Sequence, residues 1–220
     1  MSITTDKRKK SSAEGRRMLP LLEEYAMGKA SSDQTLAYEP GGRPYFADHH
    51  ADFSISHSRN MVAAAFLPLR EGTPCRIGCD IQYVDPHKSC VEISRRFFHD
   101  SEQAYIEQEE TARIRNFYRI WALKEAWLKL HGFSVFEIAK APAFSIDGKH
   151  ENNPAFFLYE LSSPVIPELY MLAAACQGDC FSGEELEPEI RWFSGTTLTL
   201  NRVENIYAAQ SPENTVMPNM

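Results

Sequence analysis

The chain has 220 residues, of which 43% are hydrophobic and 24% charged, so it is long enough to bury a core and has the composition of a globular protein. The formal net charge of −7 argues against bulk affinity for nucleic acid, and no apolar run approaches the roughly 20 residues of a membrane-spanning helix. The polar, basic N-terminus shows no secretory signal. Five cysteines without metal-finger spacing indicate ordinary thiols in a reducing cytoplasm.

The charge is distributed unevenly along the chain. Residues 1–20 carry six cations and two anions, a net +4, so the remaining residues carry −11 (−7 minus 4). Arg16 and Arg17 belong to this basic segment, which we interpret either as part of a local anion site or as a solvated terminus.

The first half of the chain predicts a helix and several strands. Apolar residues recur at helical spacing from Arg16 to Met27. After a loop rich in Ser, Gly and Pro, the alternation over Asp52–Ser56 predicts a strand. Residues 61–67 predict a second strand or a short buried helix, and residues 76–83 another strand.

Helical patterns dominate from about residue 89 to residue 131. Asp100 and Ser101 are the expected N-cap before Glu102, and Gly132 is the expected stop. Strand-like segments return at 143–146, 155–161 and 169–176, and the tail after Gly178 contains one further strand-like pair. Because strands and helices mix without strict alternation, we predict an α+β fold.

Three segments carry candidate chemistry, and the first is the predicted strand around Asp80. Residues two apart on a strand point to the same face, so the Asp80 carboxylate and the Gln82 amide oxygen project together while Ile81 faces a core. Two neighbouring oxygens suit a hard divalent cation. An ordinary exposed strand face is the alternative.

The second segment is the predicted helix Phe117–Gly132. Its spacing groups Lys124, Glu125 and Lys129 opposite an apolar side that includes Phe117 and Trp121. Glu125 and Lys129 are four residues apart and therefore neighbours on the helix. They are either a solvated ion pair or a metal-binding carboxylate flanked by cations for phosphate.

The third segment is FSISHS, residues 53–58, at the end of a predicted strand. It places His57 between the hydroxyls of Ser56 and Ser58, where an imidazole can donate a hydrogen bond to an anion. A turn or capping segment is the alternative, because serine is frequent there.

Together, FSISHS, IGCDIQ (77–82) and WALKEAWLK (121–129) resemble the motifs of the 4′-phosphopantetheinyl transferases, and the two-lobed type that activates peptide, polyketide and fatty-acid synthases in particular. The resemblance runs from about residue 42 to 132, and more loosely from 16 to 178. It implies two similar lobes with an active site at their interface. We expect a trimmed N-terminal lobe at 1–74, a C-terminal lobe with the metal site at 75–180, and an extension at 181–220.

The resemblance implies a holo-acyl-carrier-protein synthase that uses coenzyme A and Mg²⁺. Asp80 and Glu125 correspond to the family's metal ligands, and Gln82 stands where Glu is frequent, so we expect weaker metal binding. Lys129 is expected to meet charge on the reacting phosphate, and Glu125 or a metal-bound water to act as base. All three of Asp80, Glu125 and Lys129 are therefore candidate catalytic residues.

The resemblance also implies how the two substrates are held. The predicted contacts to coenzyme A are Arg16, Arg17, Arg43, Ser56, His57, Lys124 and Lys129. An acidic acyl or peptidyl carrier protein is the expected partner of a monomer, with no nucleic acid or membrane involved, docked by Arg95, Arg96, Arg113, Arg115 and Arg119. A binding module without turnover and a Mg²⁺-dependent phosphohydrolase are the alternatives.

Overall fold

A computed structural model describes residues 3–29, 34–70, 72, 75–146, 156–162, 168–178, 199–202 and 206–208. The described part is a mixed α/β structure, in accord with the predicted α+β class. The helices are α1 (Ile3–Met27), α2 (Cys90–Phe97), α3 (Asp100–Glu107) and α4 (Arg113–His131), and a 3-10 helix spans Val135–Lys140. The strands are β1 (Leu36–Tyr38), β2 (Pro44–Phe46), β3 (Ala51–Ser58), β4 (Met61–Pro68), β5 (Cys75–Tyr83), β6 (Phe144–Ile146), β7 (Phe156–Ser162), β8 (Tyr170–Gly178), β9 (Thr199–Arg202) and β10 (Ile206–Ala208).

The first helix and two hairpins pack around a small core of their own. Strands β1 and β2 pair antiparallel, as do β3 and β4. Leu19 of α1 is buried with Phe46 and Phe53 from the hairpins. Helix α1 begins thirteen residues before the predicted start, because residues 3–14 contain no Gly or Pro that would interrupt a helix.

The larger sheet is antiparallel, in the order β5-β8-β7-β9. One face packs against the helices, with Phe117, Ile120 and Leu123 of α4 fully buried in that core. The opposite face buries Ile77 and Ile81 against β4 side chains. Two strands of the predicted C-terminal extension pair with strands of the preceding segment: β9 pairs with β7 in the larger sheet, and β10 pairs with β6.

Several other helix and strand boundaries confirm the sequence predictions, and the start of α3 is shifted. The strands predicted at Asp52, Arg76, Ala155 and Leu169 are present, and the segment at 61–67 is a strand. Gly132 ends α4 in the left-handed region, with φ 72°, as expected for a glycine stop. Helix α3 begins at Asp100 itself, so its N-cap is His99, which exchanges capping hydrogen bonds with Glu102.

Two further properties concern the whole described region. Cys79, Cys90 and Cys176 are free and buried, but Cys75 is disulfide-bonded, which corrects the expectation of thiols alone. None of the helices that the structure describes is long and apolar enough to cross a bilayer.

Candidate active site

Strand β5 lies at the edge of its sheet, and β3 runs beside that open edge in the same direction. Four β3 side chains, at every second position, accept hydrogen bonds from β5 backbone N–H groups: Asp52 from Ile77 at 2.8 Å, Ser54 from Cys79 at 3.0 Å, Ser56 from Ile81 at 3.2 Å and Ser58 from Tyr83 at 2.9 Å. We call this set the side-chain ladder. It satisfies backbone donors that an edge strand otherwise leaves unpaired, and it sets the register between the two strands.

The ladder places Asp80 in a buried polar site. The Asp80 residue is 1% exposed, and its Oδ1 atom accepts hydrogen bonds from Ser56 Oγ and Lys129 Nζ, each at 2.7 Å. Its Oδ2 atom accepts one from Gln82 Nε2 at 2.8 Å. Ile81 faces the opposite core, as period two predicts. Asp80, Gln82 and Lys129 therefore lie together, as predicted, but the amide nitrogen of Gln82, and not the expected amide oxygen, faces the Asp80 carboxylate.

Helix α4 reaches this site because it packs unusually close to β5. A Cβ atom built on Gly78 would lie 2.1 Å from the carbonyl oxygen of Ala126 and 2.6 Å from the backbone nitrogen of Leu130. Only glycine permits this approach, because real Cβ atoms do not come so near backbone atoms. The close packing brings Glu125 and Lys129 over the face of β5 that carries Asp80.

The charges of this cluster shift one another's protonation. Burial, together with the negative charge of Asp80, raises the pKa of the Glu125 carboxyl to about 7, while Lys129 and a hydrogen bond with Trp121 act in the opposite direction. Burial disfavours charge on Lys129, but Asp80, Cys79 and Glu125 outweigh it, so the pKa of Lys129 is raised. Two carboxylates that repel each other beside one ammonium group form a site that additional positive charge would stabilise.

The Asp80 and Glu125 carboxylates supply the hard oxygen atoms that Mg²⁺ prefers, and the Gln82 amide would add a third if it turned its oxygen, in place of its nitrogen, toward the ion. No group of three His, Cys, Asp or Glu side chains suited to a metal occurs among the residues that the structure describes. A cation between Asp80 and Glu125 would therefore rely on two carboxylates and complete its shell with neutral oxygens, such as that of Gln82. The donor set fits Mg²⁺ on this condition.

Lys124 does not belong to this site, which corrects the sequence prediction. Its side chain is fully buried on the other side of α4, and its Nζ atom lies 3.0 Å from Glu102 Oε2 and 3.1 Å from the carbonyl oxygen of Pro142. Burial lowers the pKa of Lys124, although Glu102 partly offsets the effect. Adjacent helical positions point about 100° apart, so Lys124 and Glu125 face different layers.

Arg43 is likewise engaged inside the protein. Its guanidinium group forms a bidentate pair with Asp52, at 2.9 and 2.6 Å, and donates to the carbonyl oxygens of Ile77 at 3.0 Å and Lys129 at 3.1 Å. These bonds fasten the last turn of α4 to β3 and β5. The structure therefore assigns Arg43 to holding the site together, and not to contacting the nucleotide as the resemblance implied.

The remaining predicted coenzyme A contacts are at different depths. Ser56 is buried, and its hydroxyl is engaged with Asp80 and Ile81, which leaves it no proton for a phosphate. His57 is exposed beside it. Arg16 and Arg17 are exposed on α1, where Arg16 donates to the Tyr38 hydroxyl at 2.8 Å.

The arginines predicted to dock a carrier protein also differ in exposure. Arg119 is half-buried and bonded to Glu160 at 2.8–2.9 Å and to the Tyr105 hydroxyl at 2.8 Å, so it is a structural residue. Arg113 is partly buried. Arg95, Arg96 and Arg115 are exposed.

Sequence reasoning did not identify the ladder roles of Asp52, Ser54 and Ser58, or the hydrogen bond of Trp121 to Glu125. The signal for the ladder was present, because polar side chains occupy every second position of ADFSISHS. Nothing local identified β5 as the partner strand.

Comparison with known proteins supports the resemblance. Residues 76–175 match the family model of the 4′-phosphopantetheinyl transferase superfamily. The chain is similar to 4′-phosphopantetheinyl transferase HetI of Nostoc sp., with 31% identity over 134 residues, which are 56% of this chain and 54% of that protein. It is 33% identical over 105 residues to AcpT of Salmonella typhi (47% of this chain, 52% of the relative) and 30% identical over 127 residues to AcpT of Escherichia coli K12 (54% and 63%). The matched part of the chain thus covers 54%, 52% and 63% of the length of these three curated relatives, less than two thirds of each.

Proposed function

We propose that this chain is a member of the 4′-phosphopantetheinyl transferase superfamily and moves the phosphopantetheine arm of coenzyme A onto a serine of an apo carrier protein. The superfamily match and the relatives named as 4′-phosphopantetheinyl transferases support this class of reaction. The observation that carries the proposal is the convergence of Asp80 from β5 with Glu125 and Lys129 from α4, since a diphosphate substrate requires concentrated, oriented charge.

Asp80, Gln82 and Glu125 are the residues that would hold Mg²⁺. When bound, the ion would supply Lewis acidity and neutralise the diphosphate. Lys129 reaches Asp80 Oδ1 at the end of a flexible stem, so its ammonium group is available to offset charge on the reacting phosphate.

Glu125 is the proposed proton acceptor. In the metal-free chain the pKa of the Glu125 carboxyl is raised to about 7, so Glu125 can exchange a proton near neutral pH. A water at the metal is the alternative acceptor, because a cation held by Glu125 would lower that pKa. The serine oxygen forms a bond to the phosphorus that carries pantetheine, and the serine proton passes to Glu125. The bond from that phosphorus to the leaving oxygen breaks, which releases adenosine 3′,5′-bisphosphate.

The two substrates would approach from the exposed cations. Arg16, Arg17 and His57 remain candidates for the nucleotide phosphates, because they are exposed. Arg95, Arg96 and Arg115 remain candidates for an acidic carrier protein. The two-lobed arrangement, with the site between lobes 1–74 and 75–180, belongs to this proposal, as does the monomeric state.

The test is incubation of the purified chain with coenzyme A, Mg²⁺ and several apo carrier proteins, followed by mass spectrometry of each carrier. We expect a gain of one phosphopantetheine per carrier, and near-complete loss of that gain with Asp80→Ala or Glu125→Ala. Lys140→Ala is the matched control, because Lys140 is exposed and pairs locally with Glu137.

Two outcomes would contradict the proposal. No mass gain with any carrier would favour a binding module that has lost turnover, a possibility raised by Gln82 in place of the frequent Glu. Release of phosphopantetheine without a carrier would favour a phosphohydrolase.

A further inference from the structure

We infer that Ser56 is a positioning residue that fixes the orientation of the Asp80 carboxylate. The inference rests on the proposed function, because the orientation of the Asp80 carboxylate affects the reaction only if Asp80 binds the metal. Its observations are the buried Ser56 side chain, its 2.7 Å hydrogen bond to Asp80 Oδ1, and its 3.2 Å hydrogen bond from the Ile81 backbone N–H.

The Ser56 hydroxyl is held from two sides. A serine hydroxyl has one proton to donate. Because Ile81 N–H already donates to the oxygen, that proton is directed to Asp80, the next acceptor at hydrogen-bond distance. The Ser56–Asp80 bond therefore has a defined direction, and it is charge-assisted.

The other two donors to Asp80 are less rigid. Lys129 reaches Oδ1 on a four-carbon stem and its side chain is 28% exposed. Gln82 reaches Oδ2 from the same strand with a long, partly exposed side chain. The Ser56 side chain is short, buried and part of a strand, so its hydrogen bond to Asp80 would remain in place if substrate displaced Lys129 or Gln82.

The side-chain ladder determines that Ser56 stands at Asp80. Each of its four contacts joins residues 25 apart, so β3 cannot shift along β5 without breaking all of them. Arg43 secures the beginning of the ladder through its bidentate pair with Asp52. The β3–β4 hairpin thereby orients Asp80, the proposed metal ligand on β5 of the other sheet.

Ser54 provides a matched control. It is also buried, is two positions away on the same face, and accepts a backbone hydrogen bond from Cys79 at 3.0 Å. Replacing either serine with alanine removes one rung of the ladder, but only Ser56→Ala removes a donor to Asp80. A difference between these variants therefore reports on the carboxylate and not on the general loss of a rung.

The experiment measures Mn²⁺ binding by electron paramagnetic resonance with saturating coenzyme A and no carrier protein. We expect Ser56→Ala to weaken Mn²⁺ binding by about tenfold or more, as is typical when a group that orients a metal ligand is removed, while Ser54→Ala changes it less than about twofold. Ser56→Thr keeps the hydroxyl and should recover most of the affinity. Urea midpoints for all variants confirm that each is folded, and Ser56→Cys replaces Ser56→Ala if the latter does not fold.

A second measurement separates positioning from direct phosphate contact. Binding of adenosine 3′,5′-bisphosphate in EDTA should be unchanged in Ser56→Ala, because the hydroxyl faces Asp80. A severalfold loss in EDTA would assign Ser56 to the nucleotide and overturn the inference. Equal Mn²⁺ affinities for Ser56→Ala and Ser54→Ala would also overturn it.

These failures are distinguishable from failure of the proposed function. If the wild type binds Mn²⁺ and shows the expected Ser56 effect but modifies no carrier, the transfer reaction is wrong and the positioning role stands. If the wild type modifies carriers and the two alanine variants bind Mn²⁺ alike, only the positioning role is wrong. A wild type that binds no Mn²⁺ would overturn the metal site and this inference together.

Discussion

Replacing Glu125 with Gln should stabilise the metal-free protein at alkaline pH, although it removes a proposed catalytic group. Burial and the neighbouring Asp80 charge oppose ionisation of Glu125 in the folded chain. The folded protein must therefore ionise this carboxyl at a free-energy cost that the unfolded chain does not bear. A neutral amide of the same size avoids that cost.

The magnitude follows from the two pKa values. The pKa of Glu125 is about 7 in the folded chain, against 4.5 for a glutamate in the unfolded chain, a difference of about 2.5. At 1.36 kcal/mol for each pKa unit, ionised Glu125 destabilises the fold by about 3 kcal/mol. Because the folded pKa is raised, the penalty is absent below pH 4.5, grows as the pH rises, and is complete above pH 7.

The assay is urea unfolding of the wild type and Glu125→Gln in EDTA, from pH 4.5 to 8.5. We expect equal free energies of unfolding at the acid end, and the variant to be more stable by about 3 kcal/mol at pH 8. Asp80→Asn is the control and should lower the free energy of unfolding, because it weakens the hydrogen bonds that Asp80 accepts from Ser56, Lys129 and Gln82.

The result that would refute this reasoning is a Glu125→Gln variant no more stable than the wild type at pH 8. It would mean that burial and the Asp80 charge do not oppose ionisation of Glu125 in the folded protein, which removes the electrostatic argument for a cation beside Glu125. Mg²⁺ with coenzyme A supplies a further check, since it should stabilise the wild type and not the variant.

Three other substitutions test separate parts of the structure. Gly78→Ala should lower the free energy of unfolding by about 1–3 kcal/mol and weaken Mg²⁺ binding, because its Cβ would meet the Ala126 carbonyl oxygen at 2.1 Å; wild-type values in urea unfolding and metal titration would contradict the close packing. Lys124→Met should lower the free energy of unfolding by about 3–5 kcal/mol, because it leaves the buried Glu102 carboxylate without its ammonium partner. A variant that remains folded should keep the wild-type KM for coenzyme A, and a raised KM at unchanged stability would return Lys124 to ligand binding. Gln82→Glu should lower the Mg²⁺ concentration for half-maximal transfer severalfold, and an unchanged metal dependence would show that Gln82 is not a ligand.

Local patterns in the sequence were enough to predict most strands and the principal helix. Period two placed Asp80 and Gln82 on one face of β5 with Ile81 on the other, and the structure confirms this. Gly132 ended the helix where predicted, because the left-handed conformation favours glycine. The start of α1 was missed, since helical periodicity does not extend into its polar first half.

The roles of individual charged and polar side chains were harder to predict. Lys124 and Arg43 are residue types that often bind phosphate, yet in the structure they form ion pairs with Glu102 and Asp52. Ser56 matches a phosphate contact by motif and yet donates to Asp80.

The sequence by itself determined the periodic features: which residues form strands and helices, and which side chains share a face. These depend on neighbours within a few positions. Only the tertiary structure decided which charges are available to a ligand, because each is set by partners 9 to 86 residues away, as in the contacts of Arg43 with Asp52 and with Lys129. A side chain forms its hydrogen bonds with whatever packing brings within about 3 Å, and no local pattern encodes that distance.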